Sequence, residues 1–252
     1  MTEPAAAERP ARRLIIMPAH NEAENLPRVL SELQAVAPGY DLVVIDDGSR
    51  DATARVARDL GARVVTLPAN VGYGGAVQTG FRYAVRHRYD LAVVMDADGQ
   101  HDPEGIHRLA AVVADGTTDV AIGSRFRGEM QYHQPWVKRA GMSIFASTVS
   151  RITGRPVTDP TSGFQALNAA ALQFLAYDNY PVDYPDADTL LVLHYAGFRV
   201  TEVPVTMRAR ISGVSIHGGL KPFYYVAKMW LAIAMVQLRH KTHASARRTD
   251  AS

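Results

Sequence analysis

Asp96-Ala97-Asp98 is the tripeptide whose residue types say most about chemistry. Two carboxylates one residue apart can face a single ion if the backbone turns there. An all-oxygen set suits Mg²⁺ or Mn²⁺, ions that keep several waters and bind substrate phosphates as well. Gln100 adds a neutral oxygen in reach of the same ion, and His101 an outer contact. A metal at this place would neutralise a leaving diphosphate. An isolated Asp-X-Asp is a weak signal; after a hydrophobic strand and before Gly-Gln-His it is much stronger. Asp46 and Asp47 form a second acidic pair. Such groups accept hydrogen bonds from ribose hydroxyls or nucleobase N–H groups, or they make a plain turn and helix cap. His20 and Glu22 are placed to grip the same nucleoside. Arg125, Arg139, Arg208 and Arg210 are candidate phosphate clamps, because a guanidinium fork matches phosphate oxygens. Asp186 and Asp188 form another Asp-X-Asp, but they precede a helix, where capping is the expected role.

These residues need elements to bring them together. Leu14–Met17, Leu42–Ile45, Val64–Leu67, Leu91–Met95 and Val120–Ile122 are short runs of Val, Ile and Leu, read as strands buried on both faces. Glu24–Ala35, Ala52–Asp59, Gly74–His87 and Pro103–Ala114 lie between them with helical spacing. The alternation predicts an α/β fold, a mostly parallel sheet with helices on both faces. In such sheets ligands bind beyond the carboxyl ends of the strands. The ends here are Pro18–Glu22, Asp46–Ser49, Asp96–His101 and Gly123–Arg125, so four polar strand ends converge on one edge. Asn70–Ala76 opens a helix but lacks both nucleotide glycine signatures. It is expected to let that helix pack close to the nucleotide edge. Further on, Gln134–Gly154 is spaced as an amphipathic helix, Asp186–Tyr195 as a helix and Arg199–Met207 as a strand. Phe223–Leu238 is apolar except for Lys228 and Gln237, and at sixteen residues it falls short of the roughly 20 needed to span a bilayer. Two readings stand for it: a buried core helix, or a helix in the membrane interface anchored by Tyr224, Tyr225 and Trp230.

Composition narrows the partners. The 252 residues carry 47% hydrophobic content and a formal net charge of +2, with mixed signs throughout, which does not describe a nucleic-acid binder. Local basic clusters suit phosphate-bearing ligands or an anionic membrane surface. The absence of cysteine excludes disulfides and thiolate metal sites. Residues 1–13 lack the apolar run of a signal peptide, so a cytoplasmic location is the expectation.

The motifs Pro18-Ala19-His20-Asn21-Glu22-Ala23-Glu24-Asn25, Val44-Ile45-Asp46-Asp47-Gly48-Ser49, Met95–His101, Gly123-Ser124-Arg125 and Thr161-Ser162-Gly163-Phe164 resemble, in this order and spacing, family 2 glycosyltransferases of the GT-A fold. Within that family they look most like polyprenyl-phosphate sugar synthases of the dolichol-phosphate mannose synthase type. The resemblance runs from Arg13 to His217. It implies that Pro18, His20, Glu22, Ile45 and Asp47 hold the nucleoside, with Asp46, Ala97, Asp96 and Asp98 on the donor as well. It implies Asp96, Asp98 and Gln100 on Mg²⁺ or Mn²⁺, Arg125, Arg139 and Ser143 around an acceptor phosphate, and Arg210 and Ser215 in a lid over the donor diphosphate. Many relatives carry Lys after the residue matching Ser215, where this chain has Ile216, so His217 or Lys221 stands in or the lid is less basic. Relatives commonly carry Tyr where His20 stands, which leaves the nucleobase open.

The implied organisation is a flexible stretch over 1–12, a catalytic domain over 13–218 with an acceptor-side helix over 134–154, an apolar helix over 219–241 and a disordered basic tail over 242–252. The implied reaction is inverting transfer of a hexose from a GDP-mannose or UDP-glucose type donor to a polyprenyl phosphate, by a protein peripheral to the inner face of the cell membrane. Asp98, Arg125 and Arg139 would be the catalytic set. Two other readings remain: transfer to a hydroxyl acceptor, with Asp186 or Asp188 as base, and a nucleotide-sugar-binding protein without catalysis. A nucleotidyltransferase is disfavoured, because the segment after the first strand is acidic rather than Gly-rich and basic. Oligomeric state is not legible.

Overall fold

The computed structural model describes residues 10–128, 136–177, 180, 187–208 and 230–238, with side chains in the helix after 136 described from Met142 onward. Seven strands form one sheet in the order β3-β2-β1-β4-β6-β5-β7. They are β1 (Arg13–Ala19), β2 (Asp41–Asp46), β3 (Arg63–Thr66), β4 (Leu91–Val94), β5 (Val120–Ser124), β6 (Gln165–Asn168) and β7 (Val200–Pro204). Neighbours run parallel except at β6, which is antiparallel to both β4 and β5. Seven helices join them: α1 (Leu26–Val36), α2 (Thr53–Asp59), α3 (Tyr73–Arg86), α4 (Gly105–Ala114), α5 (Trp136–Thr153), α6 (Ala169–Ala176) and α7 (Ala187–Tyr195). An eighth, α8, covers residues 230–238.

Alternation along each strand splits the core between the two sheet faces. Leu14, Ile16, Val43, Ile45, Ala92 and Val94 pack with Val77 and Phe81 of α3, Phe145 of α5, and α6 and α7. Ile15, Met17, Val44, Leu91 and Val93 pack with Leu30 of α1, Ala57 of α2 and Leu109 of α4. The unbroken apolar runs follow from this double burial. Of Phe223–Leu238 only residues 230–238 are described; the other expected elements are present, with ends shifted by at most three residues. Two were not expected: β6 and α6. Gln-Ala-Leu-Asn is too short and too polar at its ends to announce a strand. It forms because Ala166 and Leu167 are fully buried between β4 and β5.

The antiparallel strand has a consequence for the edge that matters. The carboxyl ends of β1, β2, β4 and β5 meet there, and β6 starts there. Residues 161–164 therefore arrive at the same edge as Asp46, Asp96 and Arg125. Among the described residues, no helix is long and apolar enough to cross a membrane.

Candidate functional site

On the β1–β2 side the two strand ends are laced together. Arg50 N–H donates to Asn21 Oδ1 at 2.8 Å, which turns Asn21 Nδ2 toward His20 Nε2 at 3.0 Å. His20 Nε2 is thus an acceptor, and Nδ1–H donates to the Asp47 carbonyl at 2.7 Å. Glu22 N–H donates to Thr53 Oγ1 at 2.8 Å, and the Glu22 carboxylate accepts from Asn25 Nδ2 at 2.5 Å. Pro18 and Ile45 are paired across the strands and buried, forming a floor. His20 stands exposed above it.

The acidic pair divides its work. Asp46 Oδ1 accepts from Ser49 N–H at 3.2 Å and makes the turn. Asp47 reaches across to the next loop: Oδ1 accepts from Val71 N–H at 2.7 Å and Oδ2 from Gly72 N–H at 3.0 Å. A carboxylate thereby sits on the two N–H groups that precede α3, which favours a negative charge. Gly48 between them has φ of 61°, and a Cβ there would lie 2.6 Å from the backbone of Ala69 and Asn70. Only glycine fits that turn.

At the end of β4, Asp96 is held from both sides. Its Oδ1 accepts from the Tyr73 hydroxyl at 3.0 Å, and its Oδ2 faces His101 Nε2 at 3.1 Å. His101 is buried and its ring lies 4.7 Å from that of Phe164. Burial opposes ionisation of Asp96, but the His101 contact, the Tyr73 hydroxyl and the charge of Arg125 outweigh it and hold the carboxyl below the usual range. Asp98 Oδ1 accepts from Gln100 N–H at 3.0 Å, which directs the second carboxylate back over the same turn. The donors at this place are two carboxylates and an amide, all hard oxygens. Among the described residues no group of three or more acidic, His or Cys side chains could enclose a metal. The arrangement fits an ion that keeps waters and takes phosphate oxygens, and not a closed protein cage. Two buried polar atoms, His101 Nδ1 and Ser162 Oγ, have no partner among the described residues.

Arg125, a candidate phosphate clamp, stands at the end of β5. Its guanidinium is forked onto Asp159, with Nε to Oδ2 at 2.7 Å and one Nη to Oδ1 at 2.7 Å; the same Nη reaches Thr161 Oγ1 at 2.7 Å. Asp159 is fully buried and the Arg125 side chain is 14% exposed. The pair stiffens the turn from 158 to 161 and keeps positive charge near Asp96. Beside it, Glu202 of β7 accepts from the N–H groups of Thr158 and Asp159, each at 2.7 Å, and from Thr158 Oγ1. Arg208, another candidate clamp, is spent elsewhere: it bridges Glu32 of α1 at 2.6 Å and Asp102 at 3.0 Å. Ser143 is exposed on α5 and lines a cavity of about 420 Å³ with Phe126, Ala146, Ser147, Ser150 and Thr158. Asp188 is buried in the first turn of α7, where its Oδ1 accepts from Thr189 N–H at 2.9 Å. Asp186, Arg210 and Ser215 and the Arg139 side chain lie outside the described residues. Sequence reading missed Tyr73, Gly163, Asp159 and Glu202. Tyr73, Asp159 and Glu202 act through partners 23 to 44 residues away, and Gly163 stands against Tyr73, far off in the chain; no local pattern operates over such distances.

The sheet is that of a GT-A fold. Residues 14–175 match the family described as Glycosyl transferase family 2, and the chain belongs to that family. It is an enzyme that transfers a sugar. Among its relatives, the chain is 35% identical over 228 residues to polyprenol monophosphomannose synthase of Mycolicibacterium smegmatis, covering 86% of this chain and 85% of that one. It is 36% identical over 224 residues to undecaprenyl-phosphate mannosyltransferase of Micrococcus luteus, covering 83% and 89%. Among solved structures, glucosyl-3-phosphoglycerate synthase of Mycobacterium tuberculosis in complex with Mn²⁺, UDP and glucosyl-3-phosphoglycerate aligns with a TM-score of 0.67 at 20% identity, over 91% of this chain and 80% of that one. That likeness is one of fold.

Proposed function

We propose that this glycosyltransferase moves a hexose from a nucleotide-diphosphate sugar to a polyprenyl phosphate, with inversion at the anomeric carbon and with Mg²⁺ or Mn²⁺. The observation that carries the reading is the likeness, over more than four fifths of each chain, to two enzymes named for mannosyl transfer to polyprenyl phosphates. His20, Glu22, Asp46 and Asp47, above Pro18 and Ile45, take the nucleoside. Asp96, Asp98 and Gln100, with Ala97 between, hold the metal, which neutralises the departing diphosphate. Arg210 and Ser215 cover that diphosphate. Arg139 and Ser143 orient the acceptor phosphate, and Arg125 acts through its ion pair with Asp159 as much as by direct charge.

The acceptor dictates what is needed. A phosphate monoester is largely ionised near neutral pH, its second pKa being about 6. It requires no general base, only orientation for in-line attack and charge screening. Ser143, Ser147 and Ser150 of α5 line a cavity whose hydroxyls suit a phosphate. Ile144 of α5 and Trp230, Leu231, Met235 and Leu238 of α8 are exposed apolar side chains. Trp230 stands 5.7 Å from Phe145, so the two helices share one surface. Peripheral contact with a lipid surface suits that face.

The test is direct. The full chain is incubated with GDP-mannose or UDP-glucose, Mn²⁺, and either undecaprenyl phosphate or a hydroxyl-bearing glycolipid. Labelled lipid phosphate from the first acceptor supports the reading; product only from the second overturns it. Asp98→Ala is expected to abolish transfer at saturating Mg²⁺ or Mn²⁺, and full activity in that variant would remove the metal assignment.

A further inference from the structure

We infer that Tyr73 is a positioning residue for sugar transfer: its hydroxyl sets the carboxylate of Asp96, and Gly163 is glycine so that the hydroxyl can reach it. The inference rests on the reading of Asp96 and Asp98 as the carboxylates that meet the metal and the donor.

Three observations meet at this contact. First, Tyr73 Oη donates to Asp96 Oδ1 at 3.0 Å, while His101 takes Oδ2. The two contacts together fix the plane of the carboxylate. One alone would leave it free to rotate about its Cβ–Cγ bond. Each oxygen keeps a lone pair for another partner. Second, a Cβ at Gly163 would stand 2.3 Å from Tyr73 Oη, 3.3 Å from the ring carbon bearing it, and 3.6 Å from Asp96 Oδ1. The first distance is a collision and the last an ordinary contact. A methyl there would therefore push the hydroxyl off the carboxylate while leaving Asp96 room. Third, Tyr73 begins α3 directly after Val71 and Gly72, whose N–H groups Asp47 holds. Three consecutive residues thus span from the carboxylate of Asp47 to that of Asp96. The first residue of α3 is set in space by one acidic motif and sets the other.

Removing the hydroxyl should loosen Asp96 without disturbing the core, because the ring of Phe keeps the packing. Loss of a partner that orients a metal-binding carboxylate should weaken a bound ion roughly 10- to 100-fold. The experiment measures Mn²⁺ binding by electron paramagnetic resonance on the full chain with UDP or GDP present, alongside kcat and KM for the donor. Tyr73→Phe is expected to keep its melting temperature, to bind Mn²⁺ at least about 10-fold more weakly, and to lose kcat more than it raises KM. Gly163→Ala is expected to do the same. In the double variant the second change should add little, because the colliding oxygen is already gone. Unchanged Mn²⁺ affinity in Tyr73→Phe overturns the inference, as does full additivity of the two changes. Asp98→Ala separates this from failure of the parent reading: if that variant binds Mn²⁺ as the unaltered chain does, the metal assignment itself is wrong.

Discussion

Asp159 is the residue on which the turn from 158 to 161 depends most. It is fully buried and receives both prongs of the Arg125 guanidinium. A buried pair adds little when compared with an apolar replacement of both partners, but removing one partner strands the other charge. Asp159→Ala should therefore cost about 3–5 kcal/mol of stability by urea titration. Arg125→Lys should also be poorly tolerated, since an ammonium cannot satisfy a forked contact. A loss below about 1 kcal/mol in Asp159→Ala would mean that the pair is solvated in solution. Gly48 makes a separate case. With φ of 61° and a Cβ 2.6 Å from the backbone of Ala69 and Asn70, alanine there must displace the loop that Asp47 holds. Gly48→Ala is expected to weaken binding of UDP or GDP in calorimetry by more than its cost in melting temperature would suggest. At this scale the sequence was readable where a residue's role is local. The Asp46 turn, the Asp98 position and the polar strand ends all follow from neighbours in the chain. The ion pair of Arg125 was not legible, because its partner lies 34 residues on and nothing in Thr158-Asp159-Pro160 announces a buried carboxylate.

Among elements, the sheet has a second fastening far from the site. Asp119 precedes β5 and Arg199 precedes β7; the guanidinium of Arg199 reaches Asp119 at 3.0 and 2.8 Å, and Asn168 of β6 adds a bond at 2.9 Å. Side-chain hydrogen bonding from Arg199 outweighs the penalty of burial, and with the Arg199 N–H and Asn168 takes the Asp119 carboxyl down to about 2. A carboxyl whose folded pKa lies below its unfolded value stabilises the fold at neutral pH. That contribution fades as pH falls from about 4 toward about 2. In Asp119→Asn the acid limb of a stability-against-pH profile should flatten between those values; an unaltered limb would show the pair to be silent. The parallel strands and the helices between them were legible because burial on both faces demands long apolar runs. β6 was not, since a four-residue strand inserted antiparallel owes its existence to its neighbours' open edges and not to its own pattern.

For the whole molecule, two cores lie on opposite sheet faces, and among the described residues the exposed large apolar side chains are Val71, Tyr177, Ile144 of α5, and Trp230, Leu231, Met235 and Leu238 of α8. The sequence left the last apolar stretch open between a core helix and an interfacial one. Within residues 230–238, Ile233 is 3% exposed, while Leu231, Met235 and Leu238 are each above 60%; Tyr224 and Tyr225 lie outside the described residues. The helix packs one side on the protein and leaves the other exposed. The full chain should sediment with vesicles containing anionic lipid, and Leu231→Glu with Met235→Glu should reduce the bound fraction severalfold while donor binding in solution stays intact. Sedimentation unaffected by both changes would place membrane contact elsewhere.

The reversed strand also bears on how the chain acquires its shape. Among the described strands, β6 alone joins the half containing β1 to β4 to the half containing β5 and β7. During synthesis the first half can assemble once α4 has emerged, yet the flank of β4 has no partner until residues 165–168 follow. Leu91-Ala92-Val93-Val94 is then a bare, wholly apolar edge of the kind that recruits other chains. Non-local closure of this type is slow. Aggregation of nascent or refolding protein should therefore depend on how soon β6 arrives, and a chain cut short before Gln165 should be far less soluble than its length suggests.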